Sequence, residues 1–184
     1  ALTPFSLTNA QERVLGEIYR DMASSQPMQR LMQGDVGSGK TIVAWFAALR
    51  AIENGFQAVL LAPTELLAEQ HFLVLKAFAD ELNITTGLLI GSLPAREKED
   101  LLVRIGKGEI AFVVGTHALI QEGVQVPRLG LGIIVETPRS GVSTHGAQAP
   151  FDWEELDRSL PGRIRYSSDQ RNSHPQESGH DPLR

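Results

Sequence analysis

The 184-residue sequence has no cysteine, no long apolar run and no excess of positive charge. Without cysteine the chain can form neither a disulfide nor a thiolate metal site, so no disulfide partner is expected. No stretch of about 18 apolar residues is present and the N-terminus lacks a secretory signal pattern, which favours a cytoplasmic protein that does not enter membranes. The net charge of -5 argues against general attraction to nucleic acid but leaves room for a local basic stripe.

The chain changes character near residue 136. Before that point, the spacing of apolar residues predicts helices over 9–23, 39–55, 64–82 and 95–108, and strands over 29–34, 57–63, 85–91, 110–116 and 129–136. This alternation predicts an α/β fold in which helices flank an open parallel sheet. Residues 136–184 lack such a period and end in the polar segment QRNSHPQESGHDPLR, which predicts a disordered C-terminal tail.

A glycine-rich turn separates the first predicted strand from the second predicted helix. Its sequence, GDVGSGKT, fits the phosphate-loop pattern G-x-x-x-x-G-K-[ST] at every fixed position. Glycines let the backbone approach a phosphate, and the N–H groups at the start of the helix donate to it. The predicted nucleotide-binding residues are Gly34, Asp35, Val36, Gly37, Ser38, Gly39, Lys40 and Thr41.

Two residues of this turn are also candidate catalytic residues. Lys40 would supply a positive charge to the β- and γ-phosphates of a bound nucleotide, and the Thr41 hydroxyl would be a ligand of Mg²⁺. The alternative interpretation is an ordinary glycine-rich turn with a surface lysine. The agreement between the pattern and its strand-to-helix context favours the phosphate loop.

The phosphate loop is one of several motifs that occur in a fixed order along the chain. They are PFSLTNAQERVLGEI, RLMQGDVGSGKTIVA, LLAPTELLAEQHF, LLIGSL and VVGTHALIQEGVQ. From about residue 2 to residue 135 the sequence resembles the first motor domain of the RecG family of superfamily 2 DNA helicases. The resemblance implies a RecA-like P-loop NTPase domain that uses ATP and Mg²⁺. It also implies a parent protein that unwinds and branch-migrates branched DNA in recombination and repair, with branched or single-stranded DNA as its partner.

The resemblance also assigns a site for the adenine base. The segment FSLTNAQ is similar to the family motif that reads adenine, with Gln11 matching the base edge through its amide and Phe5 packing against the ring. From the residue alone, a solvated position on a helix would be the more common role of Gln11.

Further motifs imply contacts to the DNA backbone. In APTELLAEQ, the candidates are Pro63, Thr64 and Glu65, which lie where a strand gives way to a helix whose N-terminus can hold a phosphate. In GTHAL, Thr116 resembles a second phosphate-contacting residue at the carboxyl end of a strand. The alternatives are a simple helix cap for Thr64 and a polar helix face for Glu65.

The resemblance breaks off after Val135. The family carries Asp-Glu-x-His there, in which Asp helps to hold Mg²⁺ and Glu orients the attacking water. Glu136 stands where an acid is needed, but residues 137–139 do not supply the rest. A frameshift explains the break, because permitted codons for residues 143–146 read as Gln-Arg-Met one nucleotide later. The same shift in residues 167–175 can read as a segment ending in Thr-Ala-Thr-Pro, and both products resemble what the family carries next.

The sequence therefore predicts a partial helicase ATP-binding domain over residues 1–135 and a divergent, frameshifted tail over residues 136–184. The family's second motor domain and its wedge domain are not included in these residues. We accordingly expect the fragment alone to bind ATP weakly and not to unwind DNA. The alternative is a non-motor nucleotide-binding module with a regulatory or scaffolding role, whereas a kinase would have no use for APTELLAEQ or GTHAL.

Overall fold

The computed structural model describes residues 6–24, 28–34, 37–116, 119, 124–136 and 163–167. Its helices are α1 (Asn9–Met22), α2 (Lys40–Glu53), α3 (Glu65–Glu81) and α4 (Ala95–Gly106). Its strands are β1 (Gln29–Met32), β2 (Gln57–Leu61), β3 (Thr86–Leu89), β4 (Phe112–Gly115), β5 (Leu129–Glu136) and β6 (Arg163–Ser167). All elements before residue 136 lie where the apolar spacing predicts them.

The strands form one sheet in the order β1-β6-β5-β2-β4-β3, and every neighbouring pair is parallel. Parallel neighbours need crossover connections, and among the described residues α2, α3 and α4 lie in the connections from β1 to β2, from β2 to β3 and from β3 to β4. The predicted α/β fold with an open parallel sheet and flanking helices is confirmed. Because all strands run in the same direction, their carboxyl ends meet at a single edge of the sheet.

Strand β6 lies in the segment for which the sequence predicts a disordered tail. It pairs with β1 on one side and with β5 on the other. The prediction of disorder does not hold for these five residues, since backbone hydrogen bonds to two neighbouring strands can order a segment that has no apolar run of its own. The other residues of the predicted tail, apart from Glu136 at the end of β5, lie outside the described part of the chain.

The core occupies both faces of the sheet. Strand β2 is buried at every position, and its side chains alternate between the two faces as the period of a strand requires. On one face, α1, α2 and α3 pack over the sheet, where Trp45 meets Phe112 edge-on with ring centroids 5.4 Å apart. On the other face, Ile105 of α4 packs against Val59 and Leu89. A central strand buried on both faces is typical of parallel α/β sheets.

A buried amide joins the elements at the amino end of the sheet. Gln57 is 1% exposed, and its Nε2 donates to the carbonyl oxygens of Ile105 (3.2 Å) and Ile110 (2.8 Å). Its Oε1 accepts the N–H of Arg128 at 3.2 Å. One side chain thereby satisfies backbone groups from the end of α4 and from the segments that lead into β4 and β5.

An ion-pair cluster attaches α1 to β1. Arg30 of β1 donates to the carboxylates of Asp21 and Glu17 on α1, with an Nη1–Oε2 distance of 2.9 Å to Glu17. The hydrogen bond from Arg30 holds the pKa of the Asp21 carboxyl below its usual range. This cluster fixes the helix that carries Gln11 relative to the strand that leads into the phosphate loop.

No helix in the described ranges is long and apolar enough to cross a membrane.

Candidate nucleotide-binding site and DNA-binding edge

The predicted phosphate loop connects the carboxyl end of β1 to the N-terminus of α2. Gly37 and Gly39 have φ angles of +81° and +80°, a left-handed conformation that favours glycine. Gly39 is the N-cap of α2, and among the described contacts no side chain caps this helix. The first N–H groups of a helix point outward and its N-terminus carries the positive end of the helix dipole, which makes this end of α2 a suitable place for an anion. Asp35 and Val36 lie outside the described residues.

Lys40 is turned into the loop rather than toward solvent. Its side chain is 9% exposed, and its Nζ donates to the carbonyl oxygen of Gly34 at 2.6 Å and to the Ser38 hydroxyl at 3.4 Å. A lysine is almost never buried to this extent unless its charge is compensated. The structure therefore brings three of the predicted nucleotide-binding residues together around one ammonium group.

Gln11 contacts the phosphate loop directly. Its Nε2 donates to the carbonyl oxygen of Ser38 at 3.1 Å, and its Oε1 accepts the N–H of Thr8 at 2.9 Å. Thr8 caps α1 in return by accepting the N–H of Gln11 at 3.3 Å, which completes a capping box. A Cβ at Gly39 would clash with the Gln11 amide, so this contact also requires glycine at position 39.

The contact between Gln11 and the loop was not predicted from the sequence, which assigned Gln11 to adenine alone. A primary amide carries two N–H groups, and the adenine assignment requires the second of them. That assignment stays a prediction, and its partner Phe5 lies outside the described residues.

Thr41 and Glu136 occupy the places at which a metal ligand and an acid are expected. Thr41 is half-buried in the first turn of α2. Strand β5 ends at Glu136, whose register partner on β6 is Ser167, whereas Met32 at the end of β1 partners Tyr166. The backbone of Glu136 therefore lies at the same sheet edge as the phosphate loop, with one strand between them, or about 10 Å at the usual strand spacing.

The second group of predicted residues lies farther along the same edge. Pro63 and Thr64 are exposed between β2 and α3. Thr64 is the N-cap of α3, and its Oγ1 accepts the N–H of Leu67 at 3.3 Å. The helix-capping interpretation of Thr64 is thus confirmed, and its exposed position leaves the N-terminus of α3 accessible to a phosphate.

The other two residues predicted to contact DNA have different surroundings. Glu65 is half-buried, and its Oε1 accepts the N–H of Ser92 at 3.2 Å. Thr116 is 2% exposed and lies beneath the surface, and its N–H donates to the carbonyl oxygen of Leu89 at 3.3 Å. Their predicted roles in DNA binding stay predictions.

The model of the DEAD/DEAH box helicase family matches residues 8–148. The chain belongs to the DEAD/DEAH box helicase family. The match includes the described phosphate loop, Gln11 and the edge formed by the ends of β2, β3 and β4.

Comparison with curated relatives shows a more specific similarity within this family. The chain is 55% identical over 139 residues to the ATP-dependent DNA helicase RecG of Streptococcus pneumoniae, an alignment that covers 76% of this chain and 20% of the relative. It is 49% identical over 141 residues to RecG of Synechocystis, which covers 77% of this chain and 17% of the relative. The chain thus spans about a fifth of the length of the curated relatives that it matches. The predicted resemblance to the RecG family is confirmed.

Solved structures agree with this similarity. The structure of RecG bound to a three-way DNA junction matches with a TM-score of 0.76 and 42% identity, covering 91% of this chain and 22% of that one. The helicase Lhr of Mycobacterium smegmatis matches with a TM-score of 0.51 at 16% identity, covering 77% of this chain and 20% of that one, which supports the fold alone.

Sequence reasoning missed the contact between Glu65 and the turn that carries Gly91 and Ser92. Both residues are exposed in the turn after β3; the N–H of Ser92 donates to Glu65 Oε1, and a Cβ at Gly91 would lie 2.8 Å from the same oxygen. The segment LLIGSL was part of the family resemblance, but its residues received no role. The position of a glycine at the end of a predicted strand was the available signal.

Proposed function

We propose that this chain is the nucleotide-binding motor segment of an ATP-dependent DNA helicase that unwinds and branch-migrates branched DNA in recombination and repair. The observation that carries the proposal is the phosphate loop, in which the buried Lys40 ammonium lies against the N-terminus of α2. The proposal is supported by relatives named ATP-dependent DNA helicase RecG and by the similarity to RecG bound to a three-way DNA junction.

ATP with Mg²⁺ fits the groups that form this loop. The left-handed glycines keep the backbone close to the space that a phosphate needs, and a Cβ at Gly39 would already meet Gln11. Lys40 would exchange its bond to the Gly34 carbonyl for the β- and γ-phosphates, and the Thr41 hydroxyl would be an oxygen ligand of the metal. When bound, Mg²⁺ would neutralise part of the charge on these phosphates.

The proposed DNA partner, branched or single-stranded, lies along the edge formed by Pro63, Thr64 and the neighbouring turns. There the N-terminus of α3 presents backbone N–H groups beside the exposed Thr64. Unwinding is proposed for the whole helicase, which acts in the cytoplasm. These 184 residues alone are proposed to bind ATP weakly and not to unwind DNA.

Titration of the chain with Mg²⁺ and ATP in a calorimeter tests the nucleotide site. Lys40→Ala should weaken ATP binding more than tenfold, because the phosphates lose the nearest full positive charge in a partly desolvated loop. Lys76→Ala is the matched control, since it removes an exposed lysine that pairs with Asp80 on α3. ATP affinity that is equal in the unchanged chain and Lys40→Ala would refute the phosphate-loop assignment.

Single-stranded DNA added to the same titration separates the motor proposal from its alternative. A motor segment should bind ATP with an affinity that depends on DNA, because the two sites share one sheet edge. ATP binding that requires Lys40 but ignores DNA would favour the non-motor nucleotide-binding module.

A further inference from the structure

Helix α1 contacts both of the elements that flank the phosphate loop. Its buried side chains Leu15 and Ile18 pack in the core with residues of α2. Tyr19 also donates its hydroxyl to the carbonyl oxygen of Phe46 on α2 at 3.4 Å. On the other side, Arg30 of β1 donates to two carboxylates of α1. Because β1 leads into the loop and α2 leads out of it, α1 is attached on both sides of the loop.

Arg30 carries the attachment of α1 to β1. Its Nη1 donates to Glu17 Oε2 at 2.9 Å, and its Nε donates to the Asp21 carboxylate. Glu17 and Asp21 stand four positions apart on α1, so their carboxylates lie on the same face of the helix. Without Arg30 these two like charges would repel each other, and the C-terminal half of α1 would lose its hold on the strand.

Gln11 lies toward the other end of the same helix. Its Nε2 donates to the carbonyl oxygen of Ser38 at 3.1 Å in an exposed contact. An exposed hydrogen bond exchanges with water at little net cost, so donor and acceptor stay together only where their elements are held in place. Glu17 and Asp21 follow Gln11 by six and ten residues, or about 9 and 15 Å along the axis of α1. The position of Gln11 at the loop therefore depends on how α1 is held at its far end.

We infer that Arg30 is a positioning residue for the base of the nucleotide, which holds α1 against β1 so that the Gln11 amide meets the phosphate loop and the adenine edge together. The inference rests on the proposed function, and within it on the predicted adenine contact of Gln11, and deepens it. It gives a role in base selection to a residue that acts only through α1.

Titration with ATP and with GTP, each with Mg²⁺, separates the base from the phosphates. Both nucleotides carry the same triphosphate, so the ratio of their affinities reports the contact with the base. Arg30→Ala should lower the preference for ATP about threefold, because a half-exposed ion-pair cluster holds α1 only modestly. Gln11→Ala removes the amide itself and should lower it about tenfold. Arg20→Ala is the matched control, since this exposed arginine of α1 donates to the carbonyl oxygen of Gly16 in its own helix and should leave the ratio unchanged.

A double-mutant cycle tests whether Arg30 acts through Gln11. In the Gln11→Ala background, Arg30→Ala should cause no further loss of the preference for ATP. Arg30→Lys keeps a cation that can pair with one carboxylate and should recover part of the preference. It also provides the comparison if thermal unfolding shows that Arg30→Ala does not fold. Without nucleotide, ¹⁵N relaxation of the Gln11 side-chain amide should show less order in Arg30→Ala than in the unchanged chain or in Arg20→Ala.

The pattern of affinities decides between positioning and simple support of the fold. ATP and GTP affinities that fall by the same factor in Arg30→Ala would make Arg30 a support of the strand alone and overturn the inference. An equal loss of preference with and without the Gln11 amide would have the same result. If the unchanged chain binds ATP through Lys40 without preferring it to GTP, the inference is wrong and the nucleotide site of the proposed function stands. If the chain binds neither nucleotide, that site is refuted and the inference with it.

Discussion

Replacing Gln57 with glutamate exchanges a buried amide for a carboxyl group of nearly the same size. The new group can still accept the N–H of Arg128, but it has no N–H for the carbonyl oxygens of Ile105 and Ile110, which lie 3.2 and 2.8 Å from Nε2 in the unchanged chain. When ionised, it also places a negative charge against those two oxygens at a position that is 1% exposed. Two lost hydrogen bonds at about 1 kcal/mol each, with the desolvation of an unpaired charge, give a loss of about 3–5 kcal/mol in the free energy of unfolding at neutral pH.

The pH dependence follows from the neutral form of the introduced group. A protonated carboxyl regains one O–H donor and loses its charge, so the folded state raises its pKa above the value of about 4.3 in the unfolded chain. Relative to the unchanged protein, the penalty should be smallest below about pH 4.3, grow as the pH rises to the folded-state pKa, and then stay constant.

Urea unfolding followed by circular dichroism at pH 4 and pH 8 measures both quantities. The unchanged chain is measured at each pH, so that the titration of other groups cancels in the difference. Gln70→Glu, on the exposed face of α3, introduces the same charge and should change stability by less than about 0.5 kcal/mol. A Gln57→Glu variant that is as stable as the unchanged protein at pH 8, or a penalty that is equal at both pH values, would refute the reasoning.

Two further substitutions test the packing of the sheet and the attachment of α1. Gly115→Ala should destabilise the fold by about 2–4 kcal/mol, because its Cβ would clash with the backbone oxygen of Leu89. Gly16→Ala on α1 meets no neighbour and should stabilise the fold by about 0.5–1 kcal/mol. Thermal unfolding compares the two variants, and equal effects would contradict the prediction. Asp21→Asn should lower the free energy of unfolding at neutral pH, because it removes the carboxylate whose pKa is lowered by the hydrogen bond from Arg30. The stabilisation by this ion pair is present above about pH 3.9, the pKa of Asp in the unfolded chain, and is lost as the pH falls through the lower folded-state pKa. A stability difference between Asp21→Asn and the unchanged chain that persists at pH 2 would count against this account.

Local patterns explain why most of the fold could be predicted. Helix α2 was predicted over 39–55 and is found at Lys40–Glu53, since its apolar spacing and the flanking glycines lie within one segment. Strand β6 could not be predicted in the same way. Its order comes from β1 and β5, which are distant in sequence, and not from its own five residues.

The same distinction between local patterns and contacts distant in sequence applies to the candidate site. The phosphate loop was predicted because its glycines, Lys40 and Thr41 have fixed local spacing. The contacts from Gln11 to Ser38 and from Glu65 to Ser92 each join residues 27 positions apart, so no local pattern contains them. The burial of Thr116 could not be predicted either, because the rule that ligands gather at strand ends does not say which residues at those ends reach the surface.

The place of β6 in the sheet has a consequence for the order of events during synthesis. Strand β1 emerges from the ribosome early, yet in the described sheet its neighbour is β6, the last of the described strands along the chain. The strand that leads into the phosphate loop can therefore pair with β6 only after residues 33–162 have been translated, and this pairing closes the longest loop among the described strand pairs. A nascent chain should assemble β2 to β5 first and gain a settled nucleotide site only after Ser167 has left the exit tunnel.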